Sequence, residues 1–352
     1  VIETPDELKH WIARVKAAPW IAVDTEADSL HAYPEKLCLI QISVAGGDFL
    51  VDPLAALDIT PLLEALQEHE LIFHAADYDL RLLQRHHRFV PRTVFDTMLA
   101  ARLIGLTQFG LAHLVHSLLD VKLDKAPQRA NWAIRPLTQR MRHYAINDTH
   151  HLKPLADKLR AELEAKGRIE WHQEWCARLI QECAIEKNSD PDRVWRIKGS
   201  AVLVPRALAV LRELWHWRES EAVAANRPPY FVLAHETLLK VSATAAEGQA
   251  IEAFLPRGLS QRRRQGALDA VQRGLQVSRT DLPQPFRHKF HRPTETERRR
   301  FVELAQRRDQ QAHRLKLDPT LIASRADLAR LAHSWEEHAP ALMKWQREIL
   351  LA

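Results

Sequence analysis

The stretch WIAVDTEADSLHAYPEKLCLIQISVAGGDFLVD, residues 20–52, decides the fold. It holds three apolar, β-branched runs, at 20–25, 36–44 and 49–52. A Pro-containing turn lies before the second run, and Gly46-Gly47 separates the second from the third. The second and third runs read as an antiparallel hairpin across those glycines. Upstream, Thr4 stands as an N-cap, with Pro5 at the first helical position and Glu7 three residues after the cap. Leu8, Trp11, Ile12 and Val15 follow at helical spacing. Downstream come a helical period over 61–68, a short strand at 71–74 and a helix over 78–86. Three leading strands followed by strand–helix alternation predict an α/β domain with a mixed sheet.

From about residue 92 the pattern is almost wholly helical, with apolar residues three and four apart over 95–103, 111–118, 138–165 and 169–187. The segment 188–199, with Asp190-Pro191 inside it, breaks that pattern. Helical periods resume over 205–225, 234–241 and 262–274. A three-proline linker occupies 281–293, and helices return over 295–351. The expected organisation is an α/β domain over 1–190 and two small all-α domains over 200–280 and 290–352.

The chain has 352 residues, 46% of them hydrophobic and 27% charged, the composition of a soluble globular protein. Three scattered cysteines (Cys38, Cys176, Cys183) exclude a disulfide framework and a four-thiolate zinc site, and they suit a reducing, cytoplasmic setting. No apolar run approaches the roughly 18 residues of a membrane helix, and the first residues do not read as a signal peptide. No G-x-x-x-x-G-K-[ST] run exists, which excludes P-loop nucleotide chemistry and a nucleotide cofactor of that kind. His113/His116 and His150/His151 have no second matched pair to complete a zinc site. No long heptad run predicts a coiled-coil dimer, so a monomer is expected.

The net charge of +5 conceals an asymmetry. Residues 257–316 contain 16 Lys and Arg against 6 Asp and Glu, so the rest of the chain is net negative. The triplets Arg262-Arg263-Arg264 and Arg298-Arg299-Arg300 fit a phosphate-contacting surface, although solvated helix faces give the same pattern.

Asp24-Thr25-Glu26 ends the first strand, and side chains two apart on a strand share a face. Adjacent carboxylates repel unless a cation lies between them, and Mg2+ or Mn2+ prefers such oxygen ligands. Taken alone, D-x-E is also what a solvated strand end looks like. Asp79, where a helix begins after the fourth strand, and Asp148, within a later helix, add two carboxylates from separate elements. Together the four could form a two-metal site for phosphoryl displacement. Tyr144 lies one helical turn before Asp148 and shares its face.

These residues carry a resemblance. D-T-E, H-x4-D-L-x-x-L and Y-x3-D resemble the three motifs of the DEDD superfamily of 3′-to-5′ exonucleases. The flanks FDTMLAARLIG and LDKAPQRANW-x3-RPLT are similar to ribonuclease D more narrowly. The segment from WRIKGSAVLVPRALAVLRELWHWRE to AHETLL resembles the HRDC domain shared with RecQ-type helicases. The resemblance implies a ribonuclease H-like mixed-sheet domain followed by two HRDC-type domains, the second diverged. It also implies two divalent metal ions, Mg2+ or Mn2+, on Asp24, Glu26, Asp79 and Asp148, and a water positioned by Tyr144.

Asp77 competes with Asp79, but the family's acid immediately precedes the L-x-x-L face, which selects Asp79. His143 also satisfies the H-x4-D form used by the superfamily's other branch. A five-residue offset turns about 140° from Asp148, whereas a four-residue offset turns only about 40°, which favours Tyr144. Gln41, Gln128, Trp132 and Arg135 are the substrate-binding candidates from the flanks, with Trp132 equally readable as core. Arg262, Arg263 and Arg264 are candidates for the RNA backbone. The activity implied is release of nucleoside 5′-monophosphates from structured RNA 3′ ends such as tRNA precursors. A 3′-to-5′ DNA exonuclease and a catalytically silent RNA-binding protein are the alternatives.

Overall fold

The computed structural model describes residues 1–123, 129–185, 190–285 and 291–351. Helix α1 (Pro5–Ala17) starts on the Thr4/Glu7 capping box and leads into β1 (Ile21–Ala27), β2 (Leu37–Val44) and β3 (Gly47–Val51). Then follow α2 (Thr60–Gln67), β4 (Glu70–Phe73), α3 (Asp77–His87) and β5 (Thr93–Asp96). The strand order is β3-β2-β1-β4-β5, antiparallel through β3, β2 and β1 and parallel through β1, β4 and β5. Strand β5 falls where the sequence predicts the start of a helix. Its four residues are too few to show a period of two, and Asp96 at their end caps the next helix, α4 (Thr97–Ile104).

Helices α5 (Leu111–Leu119), α6 (Gln139–His150), α7 (Leu152–Ala165) and α8 (Ile169–Ala184) complete this part of the chain. The single helix expected over 138–165 is broken at His151. Pro154 lacks an N–H, and its ring would clash with the carbonyl of His150, so α7 begins anew. One sheet face packs on α1, α2 and α3 through Ile21, Val23, Ile40, Ile42, Leu62 and Leu80. The face bearing Gln41 and Ser43 receives α6, where Ser43 Oγ donates to Thr149 Oγ1 at 2.8 Å.

The chain divides into two compact units, one of Val1–Ala27, Leu37–Glu186 and His291–Ala352, the other of Asp28–Lys36 and Lys187–Phe290. Within the second, α9 (Pro205–Ala225), α10 (Pro229–Val232), α11 (His235–Ala246) and α12 (Gln261–Gln276) surround Leu208, Leu211, Leu214, Val241 and Ala267. Gly274 lets α12 approach α9 closely, since a Cβ there would lie 2.5 Å from Val210 Cα. Trp215 packs at the edge of this core.

The last segment departs from expectation. Helices α13 (Glu295–Leu315), α14 (Pro319–Ile322), α15 (Arg325–His333), α16 (Trp335–His338) and α17 (Lys344–Leu351) do not stand as a separate third domain over 290–352. Ala312, Ile322, Leu328, Trp345 and Leu350 share one core with Leu103, Leu114, Leu155 and Leu159 of the first unit. Trp345 stacks on Trp171 at 4.8 Å, and Arg168 donates to the carbonyls of Leu103 (2.6 Å) and Leu315 (2.7 Å). About 60 residues bury too little surface to close a strong core alone, and these helices use α4, α5, α7 and α8 to complete one. Among the described residues no helix is long and apolar enough to cross a membrane.

Candidate active site

Asp24 and Glu26 lie at the C-terminal end of the central strand β1, on the face covered by α6. A bulge between Glu26 and Ala27 breaks the β1–β2 register there, and such a kink re-aims the neighbouring side chain. From α6, Asp148 meets them, and carboxylate oxygens of Asp24, Glu26 and Asp148 all lie within 4.8 Å of one another. Asp79, 5% exposed at the start of α3, stands outside that triplet. Its Oδ1 accepts from the Thr25 backbone N–H (3.0 Å) and hydroxyl (2.5 Å), which fixes it against β1. It is nevertheless close enough for its charge to act on Asp24, Glu26 and Asp148.

Burial and mutual repulsion push these acids above the usual carboxylate range. Desolvation, then Asp79, Asp148 and Glu26, holds Asp24 well above it. Desolvation followed by Asp148 and Asp79 takes Glu26 to about 9. Desolvation also takes Asp79 and Asp148 to about 7, opposed by hydrogen bonds from Thr25 and Tyr144 respectively. The Tyr144 phenol thus hydrogen-bonds Asp148 one turn along α6, whereas His143 is exposed on another face beside Thr138 and Gln139. Asp77 is no cap. It is exposed and pairs with Arg81 at 2.9 Å.

The donor set fits a hard divalent cation. All four groups present oxygen, they repel one another without a counter-charge, and the neighbouring Gln41 is unsatisfied. Gln41 lies directly opposite Asp24 in the β1–β2 pair, is fully buried, and among the described residues neither of its amide atoms has a hydrogen-bond partner. A pH effect follows. An acid that holds its proton more tightly folded than unfolded favours folding at low pH, and that advantage is lost as pH rises from about 4 through 7 to 9. The metal-free protein should therefore lose stability across this window. Mn2+ or Mg2+ should raise Tm more at pH 8 than at pH 6, because cation and protons compete for the same oxygens. Equal shifts at both pH values, measured against EDTA, would remove the coupling.

Asp96 escaped the sequence reading as a site residue. Its buried carboxylate accepts from Ala75 N (3.2 Å) and Ala76 N (2.8 Å) ahead of α3, and from Met98 N (2.8 Å) and Leu99 N (3.1 Å) at the start of α4. It thereby holds the turn that delivers Asp79. The signal was D-T ahead of the apolar run of α4, an N-cap signature that does not reveal the second helix it serves. Asp96→Ala should cost about 2–4 kcal/mol in denaturant unfolding, since buried N–H groups lose their acceptor. A loss under about 0.5 kcal/mol, the size of a neutral surface change, would contradict this bridging role.

The substrate-binding candidates fare differently. Trp132 is 1% exposed and packs with Leu39, Leu50, Leu137 and Met141, so it offers no face to a base. Its ring centroid lies 6.1 Å from that of Tyr144, which it braces. Arg135 is a structural clamp: its guanidinium forms a bidentate pair with Asp52 and donates to the carbonyls of Cys38 and Trp132 at 2.7 Å each. Gln128 lies outside the described residues. In the second unit Arg262 (2.5 Å) and Arg263 (3.1 Å) both pair with Glu221, while Arg264 donates to the Pro256 carbonyl at 3.1 Å. The triplet is therefore partly neutralised within its own domain.

A mixed sheet with acids at the end of its central strand, answered by an acid from a packed helix, is the framework of a 3′-to-5′ exonuclease. In agreement, the family model described as 3′-5′ exonuclease matches residues 1–164, and that of the HRDC domain matches residues 207–248. Ribonuclease D of Granulibacter bethesdensis is 31% identical, and that of Gluconacetobacter diazotrophicus 30%. Each alignment covers 99% of this chain and 90% of the relative. The crystal structure of Escherichia coli RNase D, described as an exoribonuclease involved in structured RNA processing, superposes with a TM-score of 0.76 at 28% identity. That match covers 96% of this chain and 90% of the other. The chain belongs to the ribonuclease D family, and its activity is that of a 3′-to-5′ exoribonuclease.

Proposed function

We propose that the chain trims the 3′ ends of structured RNA, such as tRNA precursors, releasing nucleoside 5′-monophosphates with two divalent ions, Mg2+ or Mn2+. The convergence of Asp24, Glu26 and Asp148 oxygens within 4.8 Å is the observation that carries this reading. Asp24, Glu26, Asp79 and Asp148 would hold the cations, which supply charge stabilisation to the attacking and leaving oxygens when bound. Tyr144, held by Asp148 and braced by Trp132, orients the attacking water. Gln41, directly opposite Asp24 in the β1–β2 pair, would add its amide to the same site. The cations of the basic stretch over 257–316 other than Arg262 and Arg263, which Glu221 pairs, would hold RNA backbone, so binding should weaken steeply with salt. The protein works as a monomer in the cytoplasm.

The test is degradation of labelled single-stranded RNA and DNA with Mn2+, Mg2+ or EDTA. Stepwise shortening of RNA with mononucleotide release, abolished by EDTA and slower on DNA, is expected. Faster cleavage of DNA would make it a DNA exonuclease, and no metal-dependent release from either would leave an RNA-binding protein.

A further inference from the structure

A second convergence of donor atoms lies in the C-terminal helices of the first unit. His291 precedes α13, Glu297 stands in the first turn of α13, and His333 ends α15. Glu297 Oε1 is 2.8 Å from His291 Nε2 and 2.6 Å from His333 Nδ1. The imidazole centroids are 4.5 Å apart with their planes at 61°, so the two rings approach the carboxylate from different directions. One donor atom from each residue lies within 4.8 Å of the other two. The Glu297 side chain is only 12% exposed, and its other oxygen accepts from Thr294 N at 2.6 Å, so the capping box holds the carboxylate in place.

These contacts face a cavity of about 590 Å3, which His338 also lines, its ring centroid 6.3 Å from that of His333. Each ring nitrogen must carry a proton to donate to Glu297. A metal ion can replace those protons and satisfy the same three atoms, because a tetrahedral shell with bonds of about 2.0–2.1 Å needs donors only slightly further apart than these. Imidazole nitrogen with one carboxylate suits a transition metal, whereas Mg2+ prefers oxygen alone. Arg298 and Arg325 also line the cavity, and their charge disfavours a loosely held hydrated cation while leaving direct ligation possible.

We propose that His291, Glu297 and His333 form a transition-metal site suited to Zn2+, with the fourth position open to water or His338. The ion ties the start of α13 to the end of α15 and fastens the C-terminal helices on their shared core. It is distinct from the carboxylate cluster in donor chemistry and in the elements that build it.

The full chain carrying Asp24→Asn and Asp148→Asn, which disables the carboxylate cluster, is stripped with chelator and titrated with Zn2+ and with Mg2+. One equivalent of Zn2+ is expected to bind with release of protons, while Mg2+ does not displace it. Adding His291→Ala or His333→Ala should weaken Zn2+ binding about 10-fold or more. X-ray absorption of the zinc-loaded protein with both histidines present should show two imidazoles in the coordination shell. This second reading decides the matter even if a histidine variant folds poorly. Zn2+ binding unchanged by His291→Ala, no binding at all, or a shell without imidazole would overturn the site.

Discussion

Asp148→Asn is expected to lose at least about a thousandfold in kcat on RNA, equivalent to about 4 kcal/mol of transition-state stabilisation. Asparagine keeps the size and helical fit of the side chain but removes one of the three charges that meet within 4.8 Å. The lost charge weakens cation binding and the field at the scissile phosphate, where metal stabilisation amounts to several kcal/mol. Stability should move the other way. Asp148 is a half-buried acid pushed to about 7 by desolvation and by the charge of Asp79. The metal-free Asn variant should therefore melt at least as high as the parent near pH 8, a common outcome when a functional strain is relieved. Asp24→Asn should behave alike, because Asp24 carries the repulsion of all three other acids. A variant that kept the parental kcat, or that lost rate only in proportion to unfolding, would remove Asp148 from the site.

Tyr144→Phe should lower kcat about 100-fold with little change in KM, the scale on which a positioned proton-handling group contributes. Phenylalanine preserves the ring that packs beside Trp132, so the fold should be indifferent to the change. The pH–rate profile carries a second signature. The phenol's hydrogen bond lowers the pKa of Asp148, so without it that acid holds its proton to higher pH. The acid limb of the profile should then shift upward, which lost packing alone would not cause. His143→Ala is the control, since His143 is exposed away from the acids. Full rate in Tyr144→Phe together with loss in His143→Ala would exchange the two roles.

Much of this site was legible because its parts are local. Asp24 and Glu26 share a face by strand alternation, and Tyr144 and Asp148 by one helical turn. Both relations hold within a few residues of chain and need no knowledge of what packs above them. Substrate contacts were far less legible. A tryptophan beside an arginine reads equally as a stacking platform or as a core plug with its clamp. Here the burial of Trp132 and the pairing of Arg135 with Asp52, 83 residues away, decide for the second. The basic triplet at 262–264 reads as a displayed surface until Glu221, on another helix, is found to hold two of its members.

The sequence by itself determined the strand order's beginnings, the capping of α1, the acids proposed for the site and the relation to the ribonuclease D family. Each of these follows from period, spacing or motif along the chain. Tertiary structure alone decided that the last helices complete the first unit's core. It also showed that one carboxylate of Asp96 serves two helix starts, and that His291, Glu297 and His333 meet. The reason is common to all three: burial and donor–acceptor pairing depend on distances between segments far apart in sequence, and a one-dimensional pattern carries those distances only where a motif already encodes them.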